Sequence, residues 1–183
     1  CIKRVKNYIQ DCSLGLSHIK EMANNLEYND YVLNEIERCI LPDATISDHA
    51  STTLYSIRKK INQMKSQIRN KMESLVKESK DMLSIDTMTS KNDRLVLPVK
   101  SGYKNQISGL VHAHSATGQT TYIEPEAVVL MNNQLGDLVF AEKEEVERIL
   151  YELSQLVKRN YFHCKFNLSI LEELDFIFAK ASF

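Results

Sequence analysis

The stretch that decides the fold is GLVHAHSATGQTTYIEPE, residues 109–126, which lies between two long helical patterns. It contains two of the five glycines and two of the five histidines of the chain. Short runs rich in β-branched residues flank Ser115–Gly118, which has the composition of a tight turn. The stretch therefore predicts a β-hairpin between helices, and His112 and His114 within it raise the question of a functional site.

A second β-prone run precedes this hairpin. Residues 95–99, LVLPV, favour a strand, and Pro98 predicts an edge position because proline cannot donate a hydrogen bond to a neighbouring strand. A turn at 101–105 then leads to strands predicted over 107–114 and 119–123. These segments predict a small antiparallel β unit.

Long helices are predicted on both sides of the β unit. Apolar residues recur every three or four positions from Leu54 to Leu75 and from Val128 to Leu156, which is typical of coiled-coil seams. A helix continuing to Leu83 would be about 45 Å long at about 1.5 Å per residue. Neither helix buries its seam alone, and the first is mainly basic while the second is mainly acidic, so antiparallel pairing is predicted. Two separately solvated helices are the alternative interpretation of the charges.

The fold class predicted is mainly α, with long antiparallel helices, a small antiparallel β unit at their tip and a helical base. Shorter helical patterns supply that base: an apolar face over 1–26 that includes Leu16, a helix over 31–40 and a last helix over 162–181. The predicted segments are a helical base over 1–50, an outgoing helix over 51–93, a β unit over 94–124, a return helix over 125–157 and further helical base over 158–183.

Charge and cysteine usage narrow the class of protein. With 23 Lys and Arg against 24 Asp and Glu, the formal net charge is −1, which argues against a uniformly basic nucleic-acid-binding surface but not against a local patch.

Four dispersed cysteines with no CxxC pair argue against a zinc ribbon and favour reduced thiols in the cytoplasm. No signal peptide or transmembrane run is predicted. Because the chain begins at Cys1 and not at Met, we expect a fragment of a longer protein.

Four ordered motifs give the chain a family resemblance. LVLPVK and GLVHAHSATGQTTYIEPEAVVLMNNQL are similar to the MutS family, and the chain is most similar to its second bacterial branch, whose members carry a C-terminal Smr nuclease domain. SDHASTTLYSIRKKI resembles the entry into the long helix of that branch, and LEELDFIFAKA resembles the segment before its ATPase domain. The motifs cover residues 95–100, 109–135, 47–61 and 171–181. The chain departs from the family pattern at Asp93, Ala113 and Tyr122.

The resemblance implies a core, lever and clamp portion, with residues 94–124 as the clamp. Clamps of the family embrace DNA, and levers connect them to a dimeric ATPase. The branch is associated with branched DNA and restraint of recombination, and with binding and splitting collided ribosomes. The resemblance thus implies DNA or ribosomes as partners, a homodimer, no membrane, and ATP and Mg in an ATPase domain beyond Phe183. No cofactor and no catalytic activity are expected within this chain, which lacks GxxxxGK[ST].

Two interpretations of the β unit compete. Residues two apart in a strand face the same side, so His112 and His114 could form part of a metal site, but only Glu124 is an obvious further ligand. We therefore expect His112 to form a hydrogen bond within the sheet and expect neither a metal site nor a catalytic residue.

The candidate nucleic-acid contacts are Arg94, Lys100, Lys104, His114, Thr117 and Gln119, whose side chains suit phosphate recognition. The alternative function is a mechanical or oligomerising coiled-coil scaffold that touches no nucleic acid.

Overall fold

The computed structural model describes residues 2–12, 15 and 17–182, so Cys1, Leu16 and Phe183 lie outside the described residues. As predicted, the fold is mainly α with one small antiparallel sheet. The elements are α1 (Ile2–Asp11), α2 (Ser17–Asn24), α3 (Asp30–Cys39), α4 (Thr52–Glu78), β1 (Thr89–Lys91), β2 (Arg94–Lys100), β3 (Gly109–His114), β4 (Thr120–Pro125), α5 (Glu126–Arg159) and α6 (Tyr161–Ala181).

The chain divides into two compact units, residues 51–146 and residues 1–50 with 147–183. The first unit contains α4, the sheet and the beginning of α5. The second contains α1, α2, α3, the end of α5 and α6. Among the helices that the structure describes, none is both long enough and apolar enough to cross a membrane.

The two long helices pair antiparallel within the first unit, as the seams predict. At the start of α4, the Ser51 hydroxyl donates to Glu145 over 2.6 Å, and Arg58 Nε lies 2.7 Å from Glu142 Oε1. At its end, Ile68 and Met72 share a buried cluster with Val128 of α5. The pairing therefore uses the first part of α5, and the rest of the predicted return seam, up to Leu156, belongs to the other unit.

The outgoing helix is shorter than predicted. It ends at Glu78 rather than Leu83 and is followed by a 3-10 turn over Lys80–Met82. Leu83 is buried and bridges to Val99 of β2, so its side chain joins the core under the sheet instead of continuing the helical seam. This use of Leu83 explains why an apolar periodicity that reaches residue 83 does not give a helix of that length.

The hairpin of β1 and β2 was not predicted, since the sequence assigned residues up to 93 to the outgoing helix. Lys91 pairs with Arg94, and the two residues between them, Asn92 and Asp93, have φ values of 50° and 61°. Two successive positive φ values are typical of a type I′ turn, in which Asn and Asp are among the favoured residues. The dipeptide is therefore the signal in the sequence that marks this strand.

The sheet has the order β1-β2-β4-β3 and is antiparallel throughout. The prediction that Pro98 marks an edge strand is wrong, because β2 lies between β1 and β4. However, β1 pairs with β2 only as far as Val96. Pro98 lies beyond that point, so β1 requires no backbone hydrogen bond from it. Pro98 instead accepts a hydrogen bond of 2.8 Å from the Ser84 amide.

One face of the sheet forms the core of the first unit. Leu97 and Val99 of β2 and Ile123 of β4 point to the same face and pack in the cluster that contains Ile68 and Met72 of α4. The opposite face carries Glu124 and the polar side chains that surround it. The sheet is thus fixed to the helix pair through its apolar face.

The second unit has its own core. The pattern over 1–26 forms two helices rather than one, and Ile9 of α1 and Ala23 of α2 pack with Ile170 and Leu174 of α6. Asn167 of α6 fixes the loop between α2 and α3, because its side chain donates to the Glu27 carbonyl and accepts from the Glu27 amide. These contacts join residues distant in sequence into one helical body.

Candidate nucleic-acid interface

Most of the predicted contact residues meet at one end of the sheet, where β2 and β3 end and β4 begins. We call residues 100–106 and 114–121 the turn end. The register places Lys100 opposite Thr120 and His114 opposite Thr121. The five predicted residues in the turn end are Lys100, Lys104, His114, Thr117 and Gln119.

Ser101 holds the two turns of the turn end together. Its amide donates to the Gln119 carbonyl over 2.9 Å, and its hydroxyl donates to the Gly118 carbonyl over 2.6 Å. Gly118 has a φ of 70°, a conformation that glycine adopts without a steric cost. The Ser115 amide closes the second turn by donating to the Thr120 carbonyl over 2.8 Å. Both turns are therefore fixed before any ligand binds.

The cationic groups of the turn end differ in their surroundings. Lys100 is exposed, and its ammonium donates one hydrogen bond of 2.9 Å to the Asp81 carbonyl, which leaves two N–H groups for a ligand. Lys104 is exposed as well, and its side chain makes no hydrogen bond or ion pair to the part of the chain that the structure describes. Thr117 and Gln119 are also exposed and supply neutral donors. The surface can therefore present several donors to a phosphate backbone.

Arg94 lies at the opposite end of β2, six residues before Lys100, or about 20 Å away at about 3.3 Å per residue. Its guanidinium donates to both oxygens of Glu124, over 2.8 and 3.1 Å, and to Asn133 over 2.8 Å. The structure thus places Arg94 with Glu124 and not with the other five predicted residues.

Glu124 is the centre of a buried polar cluster that joins β2, β3, β4 and α5. Its side chain is fully buried, and besides Arg94 it accepts from His112 Nε2 over 2.6 Å and from Asn132 over 2.7 Å. Burial by itself raises the pKa of the Glu124 carboxyl, but the hydrogen bonds from Asn132, His112 and Arg94 outweigh burial and lower that pKa below its ordinary value. The carboxylate is therefore ionised and held by three side chains.

The hydrogen bond of His112 within the sheet is confirmed, but His112 and His114 do not share a face. The pairing of β3 with β4 shifts between Val111 and Ala113, so His112 is the extra residue of a β-bulge. His112 reaches Glu124 on the polar face, while His114 Nδ1 lies 3.2 Å from Thr121 Oγ1 on the opposite face. The expectation that the two histidines face the same side is therefore wrong.

His112, His114 and Glu124 do not come together as the ligands of a metal ion. Over residues 2–12, 15 and 17–182, no group of three or more His, Cys, Asp or Glu side chains is arranged to hold a metal ion.

Sequence reasoning did not identify Ser101, Thr121 or Asn132, which position the candidate residues. Their roles depend on strand register and on a helix that returns past the sheet, and neither is visible in a local motif.

No family model matches the chain. It is similar to proteins named endonuclease MutS2 in several bacteria. That of Clostridium botulinum strain Eklund 17B is 44% identical over 92% of the chain and 21% of the relative. That of Clostridium beijerinckii is 47% identical over 82% of the chain and 19% of the relative, and that of Alkaliphilus oremlandii is 37% identical over 97% and 23%. The chain spans about a fifth of the length of these relatives.

Proposed function

Since the chain belongs to the MutS2 branch of the MutS family, we propose that it is the core, lever and clamp module with which a MutS-like ATPase grasps DNA or a ribosome. The observation that supports this proposal is the turn end, where Lys100, Lys104, His114, Thr117 and Gln119 lie on two turns fixed by Ser101. The clamp is the sheet, and the levers are the paired helices α4 and α5.

The chemistry of the turn end suits a nucleic-acid backbone. Ammonium, hydroxyl and amide groups donate hydrogen bonds to phosphate oxygens without reading the base sequence. Two lysines give only a weak cationic patch, and one N–H of Lys100 is already used by the backbone carbonyl of Asp81. We therefore expect binding that is independent of sequence, sensitive to salt and strengthened when two copies act together.

The long helices give the turn end a mechanical connection. The α5 helix begins directly after β4 and is 34 residues long, and its residues 126–146 belong to the same compact unit as the sheet. The Glu124 cluster fixes the beginning of this helix to three strands through Asn132. A movement of the beginning of α5 would therefore reach the sheet without a flexible linker in between.

The proposal also places this chain within a larger protein. The relatives are named endonucleases, and we propose that nuclease chemistry, ATP and Mg belong to ATPase and Smr domains outside residues 1–183 of a cytoplasmic homodimer. The sequence here has no GxxxxGK[ST] motif to hold ATP. Restraint of recombination and rescue of collided ribosomes are the two roles that fit such a protein.

A binding experiment tests the grip. The 183-residue chain is titrated against linear duplex DNA, branched DNA and ribosomes by electrophoretic mobility shift and sedimentation. The variant with Lys100→Ala and Lys104→Ala should bind its ligand more weakly than the parent chain. Lys65→Ala, which removes an exposed lysine from α4, is the matched control and should bind like the parent.

The rival function is a coiled-coil scaffold, which the antiparallel pairing of α4 and α5 favours. A scaffold would bind none of the three ligands, either as the isolated chain or as a tethered dimer, because it offers them no contact. Binding that the lysine substitutions leave unchanged would also exclude the turn end as the grip.

A further inference from the structure

Three side chains of the turn end form a short hydrogen-bonded chain. Ser101 Oγ lies 3.3 Å from Thr121 Oγ1, and Thr121 Oγ1 lies 3.2 Å from His114 Nδ1. Thr121 is fully buried, and no buried side-chain nitrogen or oxygen of the described residues is without a partner. His114 is exposed, so the chain connects a buried hydroxyl to a ring at the surface.

Counting hydrogens gives each contact a direction. The Ser101 hydroxyl has one hydrogen, which goes to the Gly118 carbonyl because a carbonyl only accepts. For all three contacts to be hydrogen bonds, Thr121 donates its own hydrogen to Ser101 Oγ, since no other hydrogen is available for that contact. The remaining contact needs a hydrogen from His114, so the neutral imidazole carries its proton on Nδ1 and its Nε2 is an acceptor.

The second ring nitrogen decides what His114 can bind. Phosphate and ring sugar oxygens are acceptors, so a neutral His114 facing them would place two acceptors together. The 2′-hydroxyl of ribose is the donor that an RNA backbone has and a DNA backbone lacks. We propose that His114 is a specificity residue that accepts a hydrogen bond from a ribose 2′-hydroxyl and favours RNA over DNA at the turn end.

This inference rests on the proposed function, because it assumes that the turn end contacts a nucleic-acid backbone. The lysines would hold phosphates of either nucleic acid, while His114 would distinguish the sugars. Ser101 and Thr121 are positioning residues that act through His114. Their effect therefore has a signature in the imidazole itself, apart from any binding measurement.

The tautomer is measured by long-range ¹H–¹⁵N NMR of the 183-residue chain at pH 8. The expected spectrum shows a neutral His114 ring with the proton on Nδ1. Thr121→Val removes the acceptor and should shift the ring towards the Nε2–H form, whereas Thr121→Ser keeps a hydroxyl and should preserve the parent spectrum. A neutral parent ring with its proton on Nε2 overturns the inference.

Sugar recognition is measured with three duplexes of one sequence: RNA, RNA with 2′-O-methyl groups and DNA. The methyl group keeps the oxygen and removes the donated hydrogen. The parent chain at pH 8 should bind RNA roughly two- to twelvefold more tightly than 2′-O-methyl RNA. This ratio of affinities corresponds to the net free energy of one hydrogen bond. His114→Ala should lose this preference and keep most of its affinity for 2′-O-methyl RNA.

The lysine variant separates the two ideas. If Lys100→Ala with Lys104→Ala weakens binding to every duplex while the parent binds RNA and 2′-O-methyl RNA equally, the grip stands and the role of His114 is overturned. If the parent binds none of the duplexes, or the lysine variant binds all of them as the parent does, the inference is overturned together with the grip. Equal loss of RNA and 2′-O-methyl RNA in His114→Ala also contradicts it.

Discussion

Glu124 shows how one carboxylate fixes several elements. It is fully buried, and burial of a charge is costly unless hydrogen bonds replace the lost water. Arg94, His112 and Asn132 supply those hydrogen bonds from two other strands and from α5. The stability of the joint between sheet and helix should therefore depend on the charge of Glu124.

Glu124→Gln should lower the free energy of unfolding by roughly 1.5–3 kcal/mol at pH 7, the range for hydrogen bonds to charged groups. The larger loss typical of pairs with two buried partners is not expected, because the Arg94 side chain is 31% exposed. The folded pKa of Glu124 lies below the unfolded value, whose ordinary level is 4.5. The stabilising contribution is thus complete above about pH 4.5 and is lost as the pH falls through the lower, folded pKa.

Chemical denaturation of both proteins between pH 7 and pH 2 checks this dependence. The difference between parent and variant should shrink in acid, where the parent carboxyl is protonated. Glu73→Gln, which breaks an exposed ion pair with Arg69, should change stability little at any pH. A difference for Glu124→Gln that stays constant with pH would show that its charge does not stabilise the fold.

Gly109 is required by close packing of two strands. A Cβ atom at this position would lie 2.1 Å from the Glu124 carbonyl oxygen, which belongs to the backbone and cannot move aside. Gly109→Ala should lower the free energy of unfolding by about 1–3 kcal/mol or more. Gly136→Ala is the matched control: it meets nothing within 4 Å in the middle of α5 and should raise stability by roughly 0.5–1 kcal/mol. Equal effects in thermal denaturation would contradict the close approach of β3 and β4.

Prediction at the residue scale succeeded where local chemistry was sufficient. The hydrogen bond of His112 was predicted because a histidine in a strand needs a polar partner. Its bulge was not, because one extra residue changes the face of a side chain without leaving a distinct composition. Arg94 was grouped with the lysines by its charge, although its partner Glu124 decides its position.

Among the elements, the helix pair depends most on contacts between distant residues. Arg58 and Glu142 join α4 to α5 with side chains that are 26% and 28% exposed. A double-mutant cycle with Arg58→Ala and Glu142→Ala should give a coupling energy of about 0.5–1 kcal/mol. The pair Arg69 and Glu73 lies within α4 and is more exposed, so the same cycle there should give a smaller coupling of about 0.3–0.5 kcal/mol.

This cycle is measured by urea denaturation of the parent, the two single variants and the double variant. The coupling energy does not depend on how much stability each single variant loses, because the contributions of other contacts of Arg58 cancel in the cycle. A coupling energy of zero between Arg58 and Glu142 would contradict the antiparallel register of the helices in solution.

Element types followed from periodicity, while several boundaries did not. Seams with steps of three and four identified α4 and α5, and β-branched runs on both sides of the turn composition at Ser115–Gly118 identified the β3–β4 hairpin. Helix α4 stops at Glu78 because Leu83 is needed in the core under the sheet, which is a tertiary effect. Strand β1 has only three residues, too few for a period, and the turn at Asn92 and Asp93 was its single local signal.

At the scale of the whole molecule, the family resemblance in the sequence is confirmed by relatives that are 37–47% identical over most of the chain. The mainly α fold with its small sheet is confirmed as well. The grip on DNA or ribosomes stays a prediction, since neither fold nor family name identifies a ligand. Physical chemistry places that prediction at the turn end, where donors gather on fixed turns.

The most direct test of the grip is the salt dependence of binding. The logarithm of the association constant for duplex DNA is measured against the logarithm of salt concentration, and each phosphate contact contributes about 0.9 to the slope. Lys100→Ala with Lys104→Ala should reduce the magnitude of the slope by about 1.8 and weaken every duplex sequence alike, while Lys65→Ala should keep the parent slope. A lysine variant with the slope and affinity of the parent would contradict the account.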